Sequence, residues 1–436
     1  MTRRLAYICL LVAAACTEQS TAPGNCPNFC PGGSIDVHDT LFTSIIERDS
    51  SFRGYVPGFH SQGMPVATVP GIVESRAVVA TDTMIRRVAP KVGDTTTVPI
   101  GVDSTRVRFV IVRRPKNTTN VRLLLYALPL PVDSTSDFAS LDPSFGAPPV
   151  DSMNVSALLA LPAIGDTQTV RLWGDSIRTD SAGHVLQINA TDSSLIVYFR
   201  LDTLQAPFSV PDTGRLAFGV RVAADSLASI TLGSTETGGN GPVARFFYHY
   251  TVPDTVSATP DSVVHTDRSV GMRFDGFVFN PATPPSDSNL AVGGVPSARS
   301  LLRVAMPAFL HDSIDVVRAT LILVPVNAVP GAVSDSFQLL SRALLTDVGA
   351  KSPLNTNPAL FANTVIHIGA SDTVRVELTN LVRAWSLDTT LVTSFALVQA
   401  PEATSYTEIR FYSSRAPALR PALQVTYVKR FRFGEP

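Results

Sequence analysis

Val374-Arg375-Val376-Glu377-Leu378-Thr379-Asn380-Leu381-Val382-Arg383-Ala384-Trp385 changes its hydrophobic period half-way along. Val374, Val376 and Leu378 alternate with charged residues, which is the period of a strand with one buried face. From Thr379 the period lengthens. Leu381, Val382 and Trp385 fall on one face of a short helix, and Thr379 stands where a cap is expected. Further strands follow at Ser394 to Gln399, around Ile409, Phe411 and Tyr412, and at Pro421 to Val428, where Leu423, Val425 and Tyr427 share a face. Asp-Ser and Asp-Thr pairs and prolines separate the runs. Such residues bond back to their own backbone and favour turns. Short strands, polar turns and one small helix predict an all-β chain built as an antiparallel sandwich of jelly-roll type.

The same pattern occurs twice. Val197-Tyr198-Phe199-Arg200-Leu201-Asp202-Thr203-Leu204 matches Val374 to Leu381 without a gap, Phe208 falls on Trp385, and Leu216 to Val220 falls on Ser394 to Leu397. Earlier, Phe52-Arg53-Gly54-Tyr55-Val56 matches Phe274-Asp275-Gly276-Phe277-Val278, and Ser75-Arg76-Ala77 matches Ala298-Arg299-Ser300. Between these blocks two alignments are equally good: Val121 to Leu128 with Ala319 to Val326, or Arg106 to Val112 with Arg318 to Val324. Two copies in one order predict two tandem domains. They are expected at 36–252 and 262–430, with a Pro-rich linker at 253–261 and a tail at 431–436.

Composition narrows the function classes. The 436 residues carry a formal net charge of −1, which gives no basic footprint for nucleic acid. Charged residues make up 16% and hydrophobic residues 45%, so a packed chain is expected rather than a disordered one. Lysine is confined to Lys91, Lys116, Lys351 and Lys429, and arginine supplies most of the positive charge.

The amino terminus has two arginines, then an apolar run from Leu5 to Ala15, then Ala13-Ala14-Ala15-Cys16. That is a signal peptide over 1–15, too short to span a bilayer. It resembles the bacterial lipoprotein signal, with Ala13 where leucine is usual. The resemblance implies that Cys16 is diacylated and becomes the first residue. An ordinary secretory signal is the alternative. Residues 16–35 read as a flexible tether. The expected location is the cell envelope, outside the cytoplasm, with the membrane as a partner through the lipid. Cys26 and Cys30 are expected to form a disulfide there; a redox pair or half of a metal site are the alternatives.

Motifs for catalysis are missing. The seven histidines are scattered, with no His-Glu-x-x-His, and no nucleophile elbow or phosphate loop occurs. No cofactor and no metal are expected. Glu377, Glu402 and Glu408 are candidates for a glycosidase pair, and Asp133 to Asp137 for calcium; a solvated strand face and a turn are the plainer readings. Aromatic side chains could stack on sugar rings. Alternation puts Phe246, Tyr248 and Tyr250 on one face of a strand and Phe247 and His249 on the other. One face must be core, and the first is the candidate ligand-binding set. Trp385 reads as core.

Val376 through Trp385, with Phe411, Ser413, Arg420, Pro421, Leu423, Val425 and Tyr427, resembles the DNRLRE-type β-sandwich domain of bacterial surface and secreted proteins. The likeness covers about 268–428. Ser414 and Arg415 stand where the family has an acidic residue, and its opening survives only as Leu290 to Gly293. The first copy is similar only through Val197 to Val220. Some members look like modules for acidic polysaccharides, and others are accessory domains. The expected function is therefore non-catalytic binding or display at the cell surface, with extracellular polysaccharide as ligand. The alternatives are a structural or adhesive envelope protein acting through another protein, and a polysaccharide-degrading enzyme.

Overall fold

The computed structural model describes residues 37–429 apart from 71–72, 92–94, 114–118, 160–169, 174–175, 178–194, 203–213, 226, 253–260, 282–287, 313 and 331–335. The expected signal peptide, Cys16, Cys26, Cys30, Phe208, residues 253–260 of the expected linker and the tail lie outside these residues. The described chain is an all-β sandwich architecture. Its strands pair antiparallel, except that Val170–Trp173 runs parallel to Leu195–Asp202. Among the described residues no helix is long and apolar enough to cross a membrane.

The opening stretch forms what its period requires. Val374–Glu377 is a strand and Thr379–Leu387 a helix, with Leu381, Val382 and Trp385 buried. Thr379 does not cap the helix. Its hydroxyl oxygen accepts the Ala319 N–H at 2.8 Å and so ties the helix start to the strand Ile314–Leu323.

The repeat is written into the sheets. In the second sandwich one sheet runs Val37–Phe42, Ala422–Lys429, Ile314–Leu323, Val374–Glu377. The facing sheet runs Ile46–Arg53, Ala298–Val304, Ser394–Gln399, Ser336–Ala343, Phe361–His367. Side chains of both sheets meet in one core that includes Leu302, Leu321, Phe337, Trp385, Phe395, Phe411 and Val425. The first sandwich has the same order. Ser262–Val270, Val243–Val252, Gly101–Arg113 and Leu195–Asp202 form one sheet. Met272–Pro281, Val73–Thr81, Ala217–Ala223, Arg122–Leu128 and Asp151–Asn154 form the opposite layer, and Ala228–Gly233 with Gly63–Val69 bonds the two layers into one continuous sheet. Position in the sheets decides between the two alignments: Gly101–Arg113 is the counterpart of Ile314–Leu323. Arg122–Leu128 is the counterpart of Ser336–Ala343.

Sheet membership does not follow the two chain halves. The segment of Val37–Phe42 and Ile46–Arg53 stands first in the chain but is bonded into the second sandwich, one strand in each sheet, where Arg53 lies opposite Ala298 and Phe42 opposite Leu423. Its repeat counterpart, Ser262–Val270 with Met272–Pro281, is bonded into the first, where Phe277 lies opposite Ala77 and Val270 opposite Ala244. The copies have exchanged their opening two-strand segments. Val252 and Ser262 are directly paired, so the expected linker joins two neighbouring strands of one sheet. The crossings between sandwiches are the connections before Gly63 and Leu290.

The crossing before Gly63 is packed tightly. A Cβ on Gly276 would stand 3.0 Å from the Gly58 carbonyl oxygen, so a larger residue in this strand would push the crossing segment away. Ser61 donates to the Ala403 carbonyl at 3.1 Å, and Thr231 to the Thr404 carbonyl at 2.7 Å. These bonds fasten the first sandwich to a loop of the second.

Candidate functional site

The strand Val243–Val252 packs its even-numbered residues inward. Phe246 is 0% and Tyr248 6% exposed, and half-buried Tyr250 packs on the same core. The expected ligand-binding set of Phe246, Tyr248 and Tyr250 is therefore corrected to the core-facing side of the strand: Phe246 and Tyr248 are buried, and Tyr250 packs against them at the margin of the core. The outward face carries Arg245, Phe247 and His249 instead.

Strand register then builds a charged row on that face. Arg245 lies opposite Arg106, and Arg106 lies opposite Arg200, across three adjacent strands. Directly opposed side chains in a sheet have Cβ atoms about 4.5–5.5 Å apart, and like charges placed so repel. Two features offset the repulsion. The Arg106 guanidinium lies 4.5 Å over the Phe247 ring, with that of Arg245 at 5.5 Å. Arg245 also donates to both oxygens of Asp267 at 2.7 and 2.9 Å. Those hydrogen bonds hold the Asp267 carboxyl below the usual carboxylate range. Further along, Arg108 lies opposite Tyr198 and donates to the Gly241 carbonyl at 3.1 Å. The face thus carries four guanidinium groups, of which those of Arg106 and Arg245 lie against the Phe247 ring. Arginine is suited to bidentate capture of planar carboxylates and of phosphate- or sulfate-like groups.

Beside this row, His249 donates to or accepts from Asp103 at 2.6 Å through Nδ1, and His265 reaches the other oxygen of Asp103 at 3.3 Å. Asp103 owes its place to a bulge. Ser104 lies opposite Phe247 and Val102 opposite Tyr248, which leaves Asp103 as the extra residue. Such a residue can be turned out of the strand's ordinary alternation. Among the described residues this trio is the set able to converge on a metal ion. Reasoning from sequence missed it because the three positions are distant in the chain, and only the pairing of three strands joins them.

The other candidates are accounted for locally. Glu377 is bonded by Arg318 at 3.0 Å, and Glu402 is gripped by Arg299 at 2.6 and 2.7 Å. Glu408 is bonded by Arg53 and Arg410. Asp133 accepts from the Thr135 backbone and hydroxyl at 2.8 and 2.6 Å. Asp137 makes a capping box with Ser140 on the helix Phe138–Phe145. These hydrogen bonds hold both aspartates below the usual carboxylate range, and they describe a turn and a helix cap. Trp385 is 1% exposed and is core. A cleft of about 340 Å³ between the sandwiches is lined by Gln62, Arg113, Asn240, Gln338, Gln399 and Thr404 among others, with no aromatic ring among the described residues that line it.

No protein-family model and no curated protein matches this chain.

Proposed function

We propose that the chain is a non-catalytic, lipid-anchored surface protein of the bacterial envelope, whose arginine-lined sheet face binds an acidic extracellular polysaccharide. The observation that carries the ligand is the row Arg245, Arg106 and Arg200 beside the Phe247 ring. A carboxylated sugar chain presents two things in alternation: an anionic group and an apolar ring face. Guanidinium groups bond the first, and an aromatic ring stacks on the second. The resemblance to the DNRLRE-type domain points to the same ligand class. The edge strand Ser262–Val270 carries Asp267 and Arg268, charges that discourage pairing with another sheet, which weighs against assembly through this edge.

Gel retardation of the full chain in neutral and carboxylated polysaccharides tests the ligand. Retardation is expected in a carboxylated polymer and is expected to weaken with salt. Arg200 is exposed, so Arg200→Glu should leave the fold intact. Bonds between charged partners contribute about 1.5–3 kcal/mol each, so this variant should bind roughly ten- to a hundredfold more weakly. Equal migration in all gels would sink the ligand and favour a structural or protein-binding role. The anchor has its own test. Mass spectrometry of the mature amino terminus should find an acylated Cys16, and Cys16→Ala should release the protein from membranes. An unmodified terminus at another residue would leave an ordinary secreted protein.

A further inference from the structure

We infer that Asp103, His249 and His265 form a binding site for a divalent transition-metal ion of the zinc class. Their ligand atoms all lie within 4.8 Å of one another. Both imidazole Nδ1 atoms face the one carboxylate, each toward a different oxygen. Two neutral imidazoles and a carboxylate are the donor set of zinc and its neighbours, not of calcium, which takes six or more oxygens. Tetrahedral zinc with bonds of about 2.0–2.1 Å sets its ligands about 3.3 Å apart. The His265–Asp103 separation is 3.3 Å. The His249–Asp103 separation of 2.6 Å is a hydrogen bond, and an ion replacing its proton has to open it. The side chains can yield, because those of His249, Asp103 and His265 are 41%, 38% and 70% exposed.

Gly101 adds a second, independent observation. It lies opposite His249, and a Cβ there would stand 2.5 Å from the imidazole Cε1 and 2.7 Å from Nε2. The ring therefore lies over bare backbone, in a place that any other residue would fill. The groups facing the site from the packed strands are Ser104 and Arg106 on the strand of Asp103, and Asp267 beside His265. Arg245 already engages Asp267, which leaves Asp103 as the carboxylate set between the two imidazoles. Three protein ligands leave one tetrahedral position, which water fills.

The test is calorimetric titration of the full chain with Zn²⁺ at pH 7.5, with Ca²⁺ as the second probe. One Zn²⁺ is expected to bind per chain with no matching response to Ca²⁺, and zinc should raise the melting temperature. Asp103→Asn and His265→Ala should each weaken this binding at least tenfold while leaving the melting temperature of the metal-free protein unchanged. Other thiols and histidines contribute equally to wild type and variants. Zinc isotherms of the two variants that superpose on the wild-type curve would overturn the site. Absence of binding at millimolar zinc would reduce the cluster to an ion pair and overturn it equally. Neither result touches the arginine row, whose test uses polysaccharide and no metal.

Discussion

A polypeptide comprising residues 36–252 is expected to unfold far more readily than one comprising residues 54–281, although both contain most of the first sandwich. The shorter cut removes Ser262–Val270 and Met272–Pro281, which supply an edge strand to each layer. It strips Val270, Phe277 and Val278 from the core, all 6–7% exposed in the intact chain. Burying such side chains stabilises a fold by about 1.5–3 kcal/mol each, so together they approach the 5–15 kcal/mol that holds a typical domain together. The 54–281 polypeptide keeps these strands and should show one cooperative thermal transition. The second sandwich obeys the mirror rule. Residues 262–430 lack Ile45 and Ile46, both in its core, and Asp49, whose carboxylate accepts the Ser414 N–H at 2.6 Å. Joining residues 37–53 through a short linker to residues 290–430 should restore folding. Circular dichroism melts of the four polypeptides decide the matter. If 36–252 melts like 54–281, the two-strand segment of residues 37–53 can take the place of its repeat counterpart, and the exchange is not required for stability.

Trp385→Ala should lower stability by about 3–5 kcal/mol, the range for removing a large buried aromatic side chain. The ring is 1% exposed and sits 6.3 Å from that of Phe395 in the core. For a unit of this size each kcal/mol moves the melting temperature by about 2–4 °C, so a fall of roughly 10 °C is expected. Leu387→Ala is the matched control, on the same helix but 71% exposed, and should move it by less than about 2 °C. Equal shifts for the two variants would mean that the helix does not pack as described.

Part of this architecture is legible in the residues alone. The alternation of Val374, Val376 and Leu378, and the helical spacing of Leu381, Val382 and Trp385, determined a strand and a helix, because those periods are properties of local backbone geometry. The repeat is legible in the same way, and the order of corresponding strands in the two sandwiches agrees with it. Which of two aromatic faces turns inward was not local. Phe246 with Tyr248 and Phe247 with His249 are both plausible core faces, and only the opposing sheet selects the first. The charged row and the Asp103, His249 and His265 cluster depend on register between strands far apart in sequence, a bulge included, and no spacing along the chain records them.

The exchange of the opening two-strand segments lies further still from the sequence. Strands Ile46–Arg53 and Met272–Pro281 are repeat counterparts, so each offers a similar edge to either sandwich. The connection from Arg53 to Gly63 spans nine residues, which extended reaches about 30 Å, enough to cross or to stay. By itself the sequence determined the strands, the helix, the repeat and the Trp385 core, because near-neighbour chemistry encodes them. Only the tertiary structure decided which sandwich each opening segment completes and which side chains meet on the outer face, because those follow from long-range packing between similar partners.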